Sequence, residues 1–183
     1  MTEVKDIHIQ LVKRCKKGDA KAQYTLYKSY VDAMYNTAMR LMKNQMDAED
    51  IIQESFIQAF SKISSFRGES SFGAWLKRIV VNNCLSELRK NKIYFEDTEN
   101  IPETGTDHEI EETVDPEWVN NAIKALPDGA RTIFTLHAME GFKHKEIAKM
   151  LKISESTSKT QYLRAKLLLP GLIKEFADNS LAI

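Results

Sequence analysis

Residue types that do chemistry in proteins are present in this 183-residue chain, but their spacing removes most of them from consideration. Cys15 and Cys84 lie far apart, and His8, His108, His137 and His144 show no ligand spacing, so neither a zinc pattern nor a disulfide framework is indicated. There is no Gly-rich phosphate loop and no plausible spacing of Ser, His and Asp, so the chain is read as having no catalytic site, metal or cofactor. A different pattern stands out in residues 142–169, FKHKEIAKMLKISESTSKTQYLRAKLLL, where Lys159, Thr160, Leu163 and Arg164 share one face of a helix. A polar, basic helix presented behind a short helix and a tight turn can enter the major groove of duplex DNA.

The elements that must position those side chains are legible around them. A helix over about 143–151 puts Ile147, Ala148 and Leu151 on one face. Lys152-Ile153-Ser154 breaks it, and the Ser154 hydroxyl can accept from an orphan amide as the N-cap of a second helix, Glu155 to about Leu169. Tyr162, Ala165 and Leu169 then turn inward. On this stretch alone, an ordinary helical hairpin with a solvated outer face remains open.

Composition narrows the field. Hydrophobic residues make up 43% of the chain, enough for a core. No apolar run follows a basic start, and the longest charge-free stretches, such as 79–86, fall far short of a bilayer span, so the expected location is cytoplasmic. Formal net charge is zero, with 26 basic and 26 acidic residues, but the charges are segregated. Residues 1–92 carry sixteen basic and ten acidic groups, and residues 118–183 carry ten and six. Between them, 93–117 holds ten acids and no Lys or Arg. Two basic domains therefore flank an acidic tether.

Helical periodicity runs through both flanks, and no segment alternates as a strand would. The fold class expected is all-α: two small helical domains joined by a flexible acidic linker. Ile7, Leu11 and Cys15 stripe a first helix from Glu3 to Lys17, which Gly18 ends, and Asp19 can cap a second over about 20–44. Asp47 is read as the cap of a third, Ala48 to Ile63, striped by Ile52, Phe56, Phe60 and Ile63. After a loop at 64–70, a fourth runs from about Phe72 to Lys90 and buries Phe72, Leu76, Ile79 and Val80. Asp115-Pro116 opens the second domain with a cap and a proline at the first helical position. Pro127-Asp128 starts a further helix through His137, and Gly141 ends it. The domain boundaries read are 1–92, a linker 93–115, and 116–183.

Three motifs occur in order. Residues 47–56 read DAEDIIQESF, residues 66–82 read FRGESSFGAWLKRIVVN, and Leu126-Pro127 precedes residues 140–148, EGFKHKEIA. Together they resemble the extracytoplasmic-function sigma factors of the sigma-70 family of bacterial RNA polymerase, over about residues 8–169. The resemblance implies a promoter-specificity subunit, not an enzyme, whose partners are core RNA polymerase and promoter DNA. An anti-sigma factor is common in the family, although no residue here requires one.

It also implies roles for particular residues. Asp50, Gln53 and Glu54, a polar ridge at i, i+3 and i+4, match the family's docking motif for the polymerase largest subunit. Phe66, Arg67 and Ser71 lie in the loop that the family uses to capture the non-template strand of the −10 element. Lys77, Arg78 and Asn82 match the helix behind it, where Asn82 can offer a donor and an acceptor to an unstacked base. Trp75 reads as core or as a stacking platform, and burial statistics favour core. For the −35 duplex the matching positions are Ser156, Lys159, Thr160, Leu163, Arg164 and Lys166. There are departures from the family pattern. Ser156 stands where Gly is frequent, Ser158 where Val is, and Gln161 and Tyr162 where Arg and Leu are. Gln161 is therefore expected to remove a phosphate charge, and Lys152 to strain a turn that often holds Gly.

Two rivals follow from the same residues. A stand-alone helix-turn-helix regulator would bind a two-fold operator without polymerase. A DNA-processing enzyme such as a recombinase would need an activated nucleophile or metal-binding carboxylates, which the spacing does not supply. The acidic tether reads either as a solubilising spacer or as an autoinhibitory segment that competes with DNA for the basic faces.

Overall fold

The computed structural model describes residues 2–90 and 115–180, with side chains from residue 8 onward. The acidic stretch at 93–115 lies outside these described residues except for Asp115. Among the described residues the chain is helical, with no strand. Its contacts divide it into two compact units, Met1–Lys90 and Asn91–Ile183.

The first unit holds α1 (Thr2–Cys15), α2 (Ala20–Met42), α3 (Gln45–Ser61), a 3₁₀ turn (Ile63–Ser65) and α4 (Phe72–Lys90). Gly18 takes a φ of +81°, which a side chain would resist, and lets the chain reverse between α1 and α2. Asp19 then accepts from the Ala22 amide at 3.1 Å, as the cap expected there. The N-terminus of α3 differs from expectation. It begins at Gln45, and its cap is Asn44, whose side chain accepts from Met46 N–H at 2.8 Å, so Asp47 falls inside the first turn. There its charge favours the positive end of the helix instead of terminating it.

Leu26, Leu41, Leu76, Val80, Val81 and Leu85 are fully buried where these helices meet. Each contributes about 2 kcal/mol by leaving water. Ile79, expected in the core, is half-buried.

The second unit holds α5 (Pro116–Ala125), α6 (Asp128–Phe134), a π-helical turn (Thr135–Met139), α7 (His144–Leu151) and α8 (Glu155–Ser180). Asp115 accepts from Glu117 N–H at 2.8 Å, and Pro116 occupies a position whose missing N–H costs nothing. The single helix expected from 128 to 137 is interrupted. It widens after Phe134, with Glu140 N–H reaching back five residues to the Thr135 carbonyl at 3.0 Å. Gly141, at φ +79°, then ends it.

The longest departure is in α8, which runs eleven residues past the expected end at Leu169 and straight through Pro170. A proline inside a helix costs about 3 kcal/mol. Leu172, Ile173 and Phe176 offset it by packing on the core formed by Ala122, Ile123, Leu126, Ala130, Ala165 and Leu169.

Candidate functional site

On α3 the helical phase that buries Ile51, Ile52, Ser55, Phe56 and Ala59 turns Asp50, Gln53 and Glu54 outward, and all three are exposed. The ridge is broader than its polar residues indicated. Met46, four residues before Asp50, is 74% exposed, and Ile57, four after Gln53, is 71% exposed. Met is enriched at protein interfaces, and the two side chains add apolar area to the ends of the ridge. Extending the 50–53–54 phase by one turn each way would have found both.

The loop after the 3₁₀ turn is anchored by aromatic packing. The half-buried Phe66 ring lies 5.9 Å from Phe72 and 5.3 Å from Trp75, and Trp75 lies 5.7 Å from Phe72. Trp75 is thus packed on one side and half-exposed on the other, between its two sequence readings. Arg67 projects into solvent with Glu69 a loose 4.0 Å away, and Gly68 takes φ +78° beside it. Ser71 has a structural task the sequence reading missed, because its hydroxyl accepts from Ala74 N–H at 3.2 Å and caps α4.

Along α4, Trp75, Arg78 and Asn82 recur at i, i+3 and i+7 on one face, with Arg78 and Asn82 exposed and Lys77 half-buried beside them. The neighbouring Asn83 faces inward, donating to the buried Ser55 hydroxyl at 2.9 Å.

The helix-turn-helix is built as its sequence suggested. The Ser154 hydroxyl accepts from Thr157 N–H at 2.9 Å, and Lys152 sits in the left-handed region at φ 58°, ψ 42°. At the other end of α7, the Glu146 carboxylate accepts from Lys143 N–H at 3.1 Å. On α8, Ser156, Lys159, Leu163 and Lys166 are exposed, while Thr160 and Arg164 are half-exposed. Lys159 pairs with Glu155 at 2.8 Å, and its hydrogen bond holds that carboxyl below the usual carboxylate range. An exposed pair of this kind is weak in water, so a phosphate can displace it.

Gln161 corrects an expectation. It is only 2% exposed, on the inward stripe with Ser158, Ala165 and Leu169, so it does not stand where a phosphate charge would be lost. Ser158 and Tyr162 do shape how α8 seats. Ser158 Oγ lies 2.9 Å from His144 Nδ1, and the Tyr162 ring meets His137 edge-on at 4.8 Å. His137 and His144 stack at 4.0 Å, with His137 Nδ1 2.8 Å from the Phe142 carbonyl. Burial, followed by the charges of His137 and Lys159, pushes the His144 imidazole below its ordinary pKa.

Comparison with known proteins identifies the family to which these two units belong. The Sigma-70 region 2 family model matches residues 26–93, and the Sigma-70, region 4 model matches residues 117–169. The ECF RNA polymerase sigma-E factor of Haemophilus influenzae is 31% identical over 179 residues, spanning 90% of this chain and 94% of that protein. The chain belongs to the extracytoplasmic-function sigma factors of the sigma-70 family. The ECF sigma factor SigW of Bacillus subtilis is 32% identical over 169 residues, or 85% of this chain and 90% of that one. Among solved structures, the sigma factor RpoE of Bartonella quintana, crystallised with the anti-sigma factor NepR, aligns with a TM-score of 0.55 at 25% identity. That alignment covers 82% of this chain and 96% of that one. As a sigma factor the chain binds core RNA polymerase and promoter DNA and directs transcription initiation without an active site of its own. DNA is bound through the region 4 helix-turn-helix, formed here by α7 and α8. No helix among the described residues is long and apolar enough to cross a membrane.

Proposed function

We propose that this sigma factor divides its work among three surfaces, two in segment 1–92 and one in segment 116–183, with 93–115 as the linker between them. The α3 ridge, Asp50, Gln53 and Glu54 with Met46 and Ile57 at its ends, docks on core polymerase. Phe66, Arg67 and Ser71 in the loop, with Lys77, Arg78 and Asn82 on α4, take the non-template strand of the −10 element as it unstacks. Capture of unstacked bases offsets lost pairing and stacking of a few kcal/mol. The exposed half of α8, Ser156, Lys159, Thr160, Leu163, Arg164 and Lys166, reads the −35 duplex from the major groove.

The observation that carries this reading is the segregation of faces. On α3 and on α8 the assigned side chains lie opposite the buried stripe of the same helix. They are thus available to a partner without disturbing the core.

The protein works in the cytoplasm, where core polymerase is. The Bartonella RpoE structure contains an anti-sigma factor, and its likeness in fold makes sequestration by such a partner the expected mode of control.

Site-specific photocrosslinking in the promoter complex tests the division. A probe at Gln53 should mark a polymerase subunit, one at Arg78 the −10 non-template strand, and one at Leu163 the −35 duplex. Marking of the same target from Gln53 and Leu163 would overturn it.

A further inference from the structure

The loop at 66–71 has little support of its own. Phe66 N–H donates to the Ile63 carbonyl at 3.2 Å, and Ser71 accepts from Ala74 at 3.2 Å, both at the ends of the loop. A hydrogen bond from outside comes from the turn that ends α1: Lys16 Nζ donates to the Phe66 carbonyl at 2.6 Å, across fifty positions of sequence. The region 2 match begins only at residue 26, so this helix lies ahead of the matched segment.

Lys16 is held in place by a fixed corner. Its N–H bonds the Val12 carbonyl at 3.0 Å, and the amides of Lys17, Gly18 and Asp19 bond back onto Arg14 and Cys15. Arg14 clasps Asp19 at 2.7 Å while Asp19 caps α2. The Ala22 amide first, and the Arg14 guanidinium second, hold that carboxyl below its usual range.

A second tie runs through aromatic rings. His8 Nδ1 lies 2.7 Å from the Tyr30 hydroxyl, Tyr30 meets Phe72 edge-on at 5.4 Å, and Phe72 meets Phe66 at 5.9 Å. Gly73 permits this approach, since a Cβ there would stand 2.7 Å from Tyr30 Cε1. Helix α1, Tyr30 and the loop line an open cleft of about 530 Å³, and the two ties run across it.

We propose that α1 braces the −10 loop and that Lys16 is its positioning residue. The ammonium on the Phe66 carbonyl fixes the start of the loop, so that Arg67 and the Phe66–Trp75 edge face the incoming strand in one conformation. A charge-assisted bond to a carbonyl is strong enough to bias a short loop, and ordering it beforehand removes that cost from strand binding. The inference rests on the strand-capture reading of residues 66–71. An ammonium committed to a carbonyl does not count as a phosphate contact, and this separates positioning from direct binding.

The test uses holoenzyme reconstituted from the full chain and core polymerase, titrated with a fluorescent single-stranded −10 oligonucleotide at several salt concentrations. Lys16→Met should weaken binding roughly fivefold, with an unchanged salt slope and an unchanged thermal midpoint of the free chain, and Lys16→Arg should restore it. Arg67→Ala serves as the internal reference and should lower the salt slope by about 0.7. A Lys16→Met variant that binds like wild type overturns the brace, as does one whose salt slope falls by the same 0.7, which makes Lys16 a phosphate contact. Weakening that appears only with a lowered thermal midpoint also overturns it. If Arg67→Ala is silent as well, the strand-capture reading itself fails.

Discussion

The two units of this sigma factor bury different kinds of side chain. Among the described residues, the first buries the hydroxyls of Thr37 and Ser55 within an otherwise apolar core, and each has a near partner: Thr37 bonds the Ala33 carbonyl, and Ser55 bonds Asn83. The second buries Arg131, Thr132, Thr135, Ser158 and Gln161. Arg131 is paired there with Asp128 at 2.7 Å, and Ser158 with His144. In the first unit, therefore, a polar residue is nearly always an outward one, although Met46 and Ile57 show that an apolar residue need not be inward. In the second unit polarity is a poorer guide, and only helical phase separates a buried polar residue from an exposed one. Burying such groups costs free energy, which Asp128 offsets for Arg131 and His144 for Ser158, whereas the Thr132 and Thr135 hydroxyls are buried without a hydrogen-bond partner.

The largest expected effect breaks the comparison on the side of the first unit. Reversing the ridge with Asp50→Lys and Glu54→Lys should cost about 2–5 kcal/mol in affinity for core polymerase, if the contacts are charge-paired and desolvated. Helix content and melting midpoint should barely move, because both side chains point away from the stripe. Co-elution with core polymerase at wild-type affinity would remove α3 from the interface.

The corresponding change in the second unit is smaller. Lys159→Ala and Arg164→Ala should each cost about 1–3 kcal/mol in promoter binding. Arg164 is expected to act as a phosphate contact, lowering the salt slope by about one unit across sequences. Lys159 should also relax specificity at one base pair. Unaltered binding by both variants, measured against salt, would reject the recognition-helix assignment.

Below these comes a feature the two units share. Lys43 ends α2 at φ 63° and Lys152 ends α7 at φ 58°. Gly at either position should stabilise its own unit by up to about 1 kcal/mol, read as a shift in denaturation midpoint. A loss on either substitution would mean that the lysine side chain contributes more than its backbone strain costs.

The smallest effect is confined to the second unit. His144 has a lowered pKa when folded and an ordinary value near 6.5 when unfolded. The unfolded chain therefore binds the proton more readily over that interval. Stability should fall as pH drops through about 6.5 toward the folded pKa, and level off below it. Burial drives the shift first, His137 and Lys159 add to it, and Glu155 opposes them. Replacing His144 with Gln should flatten this dependence; an unchanged pH profile in that variant would assign it to other groups.

These contrasts explain what was legible in the sequence. Local signals were read correctly where one residue decides the outcome: Gly18, Asp19, Ser154 and the Asp115-Pro116 start each end or cap a helix as expected. The helix α4 was placed from Phe72 to Lys90 by its apolar phase. Failures occurred where two residues compete or where a distant surface decides. Asn44 precedes Asp47 and captures the first free amide, so it is the cap. The extension of α8 past Pro170 depends on the face of α5, which no local rule contains. The π turn that brings His137 onto His144 leaves no mark in the apolar pattern. Gln161, by contrast, could have been read, since it lies four positions before Ala165 on a face already assigned inward.

The central claim is that separate faces of the chain bind polymerase and read the promoter, and one titration tests it most directly. Promoter-dependent transcript is measured with fixed core polymerase and template while the chain is added to saturation. The Asp50→Lys, Glu54→Lys variant should recover wild-type yield at high concentration, because mass action restores the holoenzyme. The Lys159→Ala, Arg164→Ala variant should saturate at the wild-type concentration but plateau at a lower yield, because its holoenzyme forms and then fails at the −35 element. Recovery of both variants, or the reverse pattern, would contradict the division of faces.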